Sequence, residues 1–167
     1  MQEDKKKMTK QEKEQQRLEK QKQLTEKCAQ NFQELSSSIS SNNLQNFQNF
    51  FDKTDVTKLA KTENNDLIIN YVHLFQTMLS KTDIKTVQEE VLQKLTDKQQ
   101  IDFFEYLNKS FEMVGKGQET KYHPNFLLQV HGLLISAAGV SIILKATGRK
   151  FSLVTRTDNG LSELAAF

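Results

Sequence analysis

Hydrophobic residues fall three and four apart along most of this chain, and nowhere do they alternate with polar ones over a sustained run. That periodicity predicts helices and no strand. Leu44, Phe47, Phe50 and Phe51 open the first strongly apolar stripe just after Asn42. A helix is expected from about Asp66 to Ser80, with Leu67, Tyr71, Leu74, Phe75 and Met78 on one face and Asn65 or Asp66 to cap its open amides. Thr82 or Asp83 restarts a helix carrying Ile84, Val87, Val91, Leu92 and Leu95. Thr96 and Gln99 have the spacing of a capping box, ahead of Ile101, Phe104, Leu107, Asn108 and Phe111. Gly115 to Thr120 reads as a polar loop. Pro124 then sits where a helix tolerates a missing N–H, so the last helix starts there, runs to about Ala146 and stops at Gly148. Lys145, Arg149 and Lys150 lie at its negative end.

The N-terminal stretch has a different pattern. From Met1 to Lys27 the apolar side chains are Met1, Met8, Leu18 and Leu24, too few to offset the entropy of ordering the segment. It is expected to be disordered or a lone solvated helix, supported by i, i+4 pairs such as Glu3 with Lys7 and Glu19 with Gln23. Leu24, Cys28, Phe32 and Leu35 follow at spacings of four, four and three, a stripe suited to docking on a partner, before Ser36 to Asn43 breaks it. The expected architecture is an all-α compact bundle of about five helices around a central C-terminal hydrophobic helix. Residues 1–41 form a charged extension, 42–150 the helical domain and 151–167 a C-terminal extension.

Composition changes the picture mainly through where the charge lies. The chain has 167 residues, 37% of them apolar, and a formal net charge of +2. Residues 1–27 hold nine Lys/Arg and six Asp/Glu, and the rest hold fourteen and fifteen. The basic excess belongs to the tail, which argues against a nucleic-acid-binding domain. One cysteine, Cys28, excludes an intramolecular disulfide and a cysteine-based zinc site, and fits a reducing compartment. The charged N-terminus has no apolar run behind it, so no secretory signal is expected.

Candidate chemistry is sparse. His73, His123 and His131 share no metal-ligand spacing, and His131 reads as a packed histidine on an apolar helix. Gly115-Lys116-Gly117 lacks the preceding strand and the following Gly-Lys-Ser/Thr of a phosphate loop. Cys28 reads as an inert apolar residue, and Glu89 and Glu90 as solvated helix charges. No catalytic, cofactor-binding or metal-binding residue is therefore expected, and no enzyme.

The informative segment is Tyr122 to Leu144, which contains no Asp, Glu, Lys or Arg. As one helix, Phe126 to Leu144 extends about 28 Å, close to a hydrocarbon thickness of about 30 Å, so a tail-anchored membrane protein is one reading. Gln129, Gly132, Ser136 and Gly139 place small or polar residues along one face, which lets another backbone approach closely. Gln129 and His131 are costly in lipid, and the other amphipathic helices need a central partner. These points favour a helix buried among other helices.

Leu127-Leu128-Gln129-Val130-His131, then Ala137-Ala138-Gly139-Val140-Ser141-Ile142-Ile143, then Gly148-Arg149-Lys150 resemble the C-terminal helix of the actin-related protein 2/3 complex subunit 5 family. Lys109-Ser110-Phe111-Glu112 is similar to that family's Lys-Gly-Phe-Glu. The resemblance covers roughly residues 42–150, with its specific part in 109–150. It implies a non-catalytic helical subunit without a cofactor, held by other subunits of a cytoplasmic actin-nucleating hetero-oligomer, with the last helix central. Phe111, Leu127, Leu128, Gln129, His131, Ala137, Ala138, Gly139, Val140, Ile142, Ile143, Arg149 and Lys150 are the matched core or interface positions. Two departures stand out. The family's acidic and aromatic N-terminal arm is replaced by a Lys/Gln/Glu run, and the chain continues through Phe151-Ser152-Leu153-Val154 to Phe167. A helical adaptor in a specialised cytoskeletal structure such as a cilium is a further reading, resting on those altered ends.

Overall fold

The computed structural model describes residues 8–118, 124–149 and 151–154, and among them every regular element is helical. In chain order these are α1 (Lys10–Ser37), α2 (Asn43–Lys53), α3 (Val56–Lys61), α4 (Asn65–Ser80), α5 (Ile84–Thr86), α6 (Asp97–Gly115), α7 (Pro124–Ala138) and α8 (Ser141–Thr147). A π-turn, Val87–Val91, continues α5. The chain is an all-α compact bundle.

Local chemistry sets most of the starts. Asn42 accepts from Gln45 N at 3.1 Å to open α2, and Asp83 accepts from Thr86 N at 2.8 Å to open α5. Thr96 and Gln99 form the expected capping box, with each backbone N–H donating to the other residue's side chain. The α4 cap is Asn64, one residue earlier than expected, accepting from Leu67 N at 3.1 Å. Two features depart from the sequence reading. α3 lies in a stretch with no expected helix, and its six residues are too few to show a period. The helix expected through Ile84–Leu95 widens instead into the π-turn, closed by Leu92 N donating to Val87 O at 2.9 Å, and Val87, Val91 and Leu92 are all fully buried there.

The centre of the bundle is aromatic. Phe47, Phe50 and Phe51 from α2, Phe75 from α4, and Phe103 and Tyr106 from α6 are all 3% exposed or less. Phe75 lies 4.9 Å from Phe103 and 5.2 Å from Tyr106 between ring centroids, and Phe50 lies 5.0 Å from Tyr106. Edge-to-face and stacked pairs at these separations add to the area they bury. The Tyr106 hydroxyl is the polar exception, buried without a hydrogen-bond partner, and burial pushes its pKa well above the ordinary phenol value. Tyr106→Phe is therefore expected to leave stability unchanged or raise it by about 1–3 kcal/mol, since it removes a desolvated group and keeps the ring. A urea denaturation midpoint that falls in the variant would show that the hydroxyl does have a partner.

The N-terminal expectation needs correction. α1 is a 28-residue helix opened by a capping box between Thr9 and Glu12, and only its first part, Lys10–Lys20, is solvated throughout. The stripe Leu24, Cys28, Phe32 and Leu35 docks on the chain's own bundle rather than on a partner, with Cys28 and Leu35 buried and Leu24 and Phe32 packed beside them. Phe32 meets Tyr71 edge-on at 5.3 Å, and the Tyr71 hydroxyl donates to Cys28 O at 2.6 Å. Gln21 Nε2 donates to Thr62 O at 3.0 Å, so α1 is also tied to the end of α3. The folded unit thus begins near Gln21 rather than at residue 42.

The last helix is not one continuous span. The expected single span breaks at Gly139, whose φ of 83° lies in the left-handed region, and α7 and α8 diverge by 104°. Among the described residues no single helix is long and apolar enough to cross a membrane, although this bent pair passes the same test by length and composition. Nor is the pair central. α4 buries nine residues and α7 three, Leu127, Val130 and Leu134. α6 carries the packing instead, lying against α4, α7 and α8. The physical reason is volume, because the rings of α2, α4 and α6 already fill the interior, and a helix bearing Gly132, Ser136 and Ala137 brings too little bulk to displace them.

Candidate functional site

The break at Gly139 leaves one face of α7 and α8 turned outward. Leu128 is 58% exposed, Val140 69% and Leu144 74%, and Ile143 is also exposed. Gln129, Gly132, Ser136 and Ala137 lie on the same exposed side of α7. The opposite side supplies the anchors Leu127, Val130, Leu134, Ile142 and Ala146, all buried. Gly132 is the telling residue. A methyl group added there meets nothing within 4 Å, so among the described residues no contact requires its smallness. Glycine in a helix interior costs about 1 kcal/mol relative to alanine. Packing within the bundle supplies no return for that cost.

The positions that carry the resemblance divide between core and face. Leu127 and Ile142 are buried, Phe111 and Ala138 are half-buried, and Leu128, Gln129, Ala137, Gly139, Val140 and Ile143 are exposed. Lys150 and His123 lie outside the described residues. His131 packs between the rings of Phe104 at 5.4 Å and Phe111 at 5.9 Å, and burial pushes its pKa below the ordinary imidazole value. Cys28 sits in the α1 seam, where burial pushes its thiol up, with Lys58 opposing that shift. Among the described residues no three His, Cys, Asp or Glu side chains gather as a metal-binding group.

Arg149 has a role that its position at a helix end did not suggest. Its Nη1 donates to Asp102 Oδ1 at 2.8 Å, and Asp102 is 1% exposed. One turn along α6, buried Glu105 accepts from Ser152 Oγ at 2.7 Å and from Leu153 N at 3.2 Å. Two buried carboxylates therefore tie Arg149, Ser152 and Leu153 to α6, and Leu153 enters the core. Burial pushes both carboxyl groups above the usual range; Arg149 opposes this at Asp102, and at Glu105 the Ser152 and Leu153 hydrogen bonds oppose it first, with a smaller pull from Arg149. The signal was present in the sequence. Phe103, Phe104, Tyr106 and Leu107 run almost without interruption around α6, which leaves no solvated side for Asp102 and Glu105.

Comparison of the chain with protein-family models, with curated proteins and with solved structures finds no match.

Proposed function

We propose that this chain is a non-catalytic structural subunit of an actin-related protein 2/3-type complex or a close derivative, and that the exposed α7–α8 face seats a neighbouring subunit. Gly132 carries this reading, as a mid-helix glycine with open space around it on a charge-free face that ends in exposed Val140 and Leu144. Small residues flanked by exposed aliphatic ones let a partner helix approach closely while burying the aliphatic groups. The residue order across 109–150 that resembles subunit 5 of that complex supplies the identity of the partners: the other subunits. On this reading the protein belongs to the cytoplasmic cytoskeleton.

The test is purification of the tagged chain from native cells beside a Leu128→Glu/Leu144→Glu variant. Both substituted side chains are more than half exposed, so the variant is expected to keep its helicity and thermal midpoint. The parent chain is expected to bring down actin-related subunits in stoichiometric amounts, and the variant to lose them by at least about tenfold, a change of about 1.4 kcal/mol. A parent chain recovered as a monomer, or one held in the membrane pellet after carbonate extraction, defeats the proposal. The latter result would assign the bent apolar pair to lipid.

A further inference from the structure

A concave cavity of about 330 Å³ opens where α1, α2 and α3 meet the first turn of α6. Its walls carry four lysines from four different helices: Lys27, Lys53, Lys58 and Lys98. Outside the first 27 residues the chain has slightly more acidic than basic side chains, so three of these ammonium groups are gathered against the average. Lys53 is held by Glu34 at 2.9 Å. Lys27, Lys58 and Lys98 form no ion pair among the described residues.

Two carboxylates share the walls, and each is already engaged. Asp52 Oδ1 accepts from Gln99 Nε2 at 3.0 Å, and Asp55 Oδ1 accepts from Lys58 N at 3.2 Å as the cap of α3. Asp55 thus holds the backbone of Lys58, and Asp52 holds the side chain of Gln99, the neighbour of Lys98. Like charges focused in a concave site raise the local concentration of counter-ions, and an anion seated among them relieves their repulsion. The volume falls at the lower end of the roughly 300–1,000 Å³ found for small-molecule sites.

We propose that this cavity binds a compact phosphorylated polyanion of the inositol polyphosphate class, held by Lys27, Lys58 and Lys98, with Lys53 at the rim. A divalent cation is disfavoured by the same four ammonium groups. The site lies on elements other than α7 and α8 and stands independently of the proposed docking face.

The experiment is calorimetric titration of the full chain with inositol hexakisphosphate at low salt, and separately with vesicles containing phosphatidylinositol bisphosphate. Saturable one-to-one binding is expected, weakening as salt rises. A Lys58→Ala/Lys98→Ala variant, altered only at exposed side chains, is expected to bind about tenfold or more weakly. Lys10→Ala/Lys13→Ala, on the solvated start of α1, is expected to bind like the parent. Binding of the soluble probe alone identifies a free solute as the ligand, and tighter binding to vesicles identifies a lipid headgroup; either supports the site. Absence of binding to both probes overturns the proposal, and so does an equal loss in the cavity and α1 variants, which would mark diffuse attraction to a basic surface.

Discussion

Phe75→Ala is expected to bring the bundle close to unfolding, with a loss of about 3–5 kcal/mol. Phe75 is fully buried and lies within 6.5 Å of Phe47, Phe50, Phe51, Phe103 and Tyr106, ring centroid to ring centroid. It is where α2, α4 and α6 touch one another, so its removal opens a cavity bounded by three helices that cannot all move inward. Domains of this size hold only about 5–15 kcal/mol in total, so the variant would have little reserve. Its thermal midpoint, followed by circular dichroism at 222 nm, should fall by about 6–20 °C. Phe75→Leu keeps more of the volume and should lose about 1–2 kcal/mol. A midpoint for Phe75→Ala within about 2 °C of the parent would mean that this cluster is not the core.

Arg149→Ala is expected to cost about 3–5 kcal/mol near neutral pH, because it leaves the Asp102 carboxylate buried and uncompensated. The Asp102 side chain is 2% exposed and that of Arg149 20%, so solvent screens the pair little. The loss should depend on pH, with a definite sign. Burial is the leading influence on Asp102 and Glu105 and raises both above the ordinary carboxylate range, while Arg149 lowers both. A carboxyl group whose folded pKa is raised binds its proton more tightly in the folded state. Its favourable contribution is therefore fully present below the unfolded pKa of about 4, and is lost as pH rises through the folded value. Removing Arg149 raises the folded values further and widens that window. The deficit of Arg149→Ala against the parent should thus be largest near neutrality and shrink as pH falls toward about 4. Urea midpoints of the two proteins at about pH 5 and pH 7 measure the difference. An equal deficit at both would assign the loss to packing of the guanidinium stem instead. Arg149→Lys should recover only part of the stability, since an ammonium group replaces the planar guanidinium.

The ties from Arg149, Ser152 and Leu153 to α6 also alter the meaning of the C-terminal departure from the pattern it resembles. Leu153 lies in the hydrophobic core and Phe151 meets the Lys61 ammonium at 4.8 Å, so the first residues past the helical domain belong to the fold. The N-terminal departure divides differently. Residues from Gln21 onward are integrated through Thr62, Tyr71 and the core, while Lys10–Lys20 remains a solvated helix of mixed charge.

The helical content and most of the punctuation are legible in the sequence. Asn42, Asp83, the Thr96–Gln99 box and Pro124 act on amides within a few residues of themselves, so their effect is readable in a short window. The stripes Phe47–Phe50–Phe51 and Tyr71–Leu74–Phe75–Met78 were readable for the same reason, and all seven residues are buried. The tertiary structure decided which surfaces meet. It placed the Leu24–Leu35 stripe against Tyr71 instead of a partner, seated Arg149 on Asp102 across 47 positions, and gave the centre to the aromatic helices rather than to the most uniformly apolar one. Hydrophobicity states that a helix gains by leaving water. Which helix takes the interior depends on competition among distant side chains for one fixed volume, and there the rings of α2, α4 and α6 outweigh the small residues of α7.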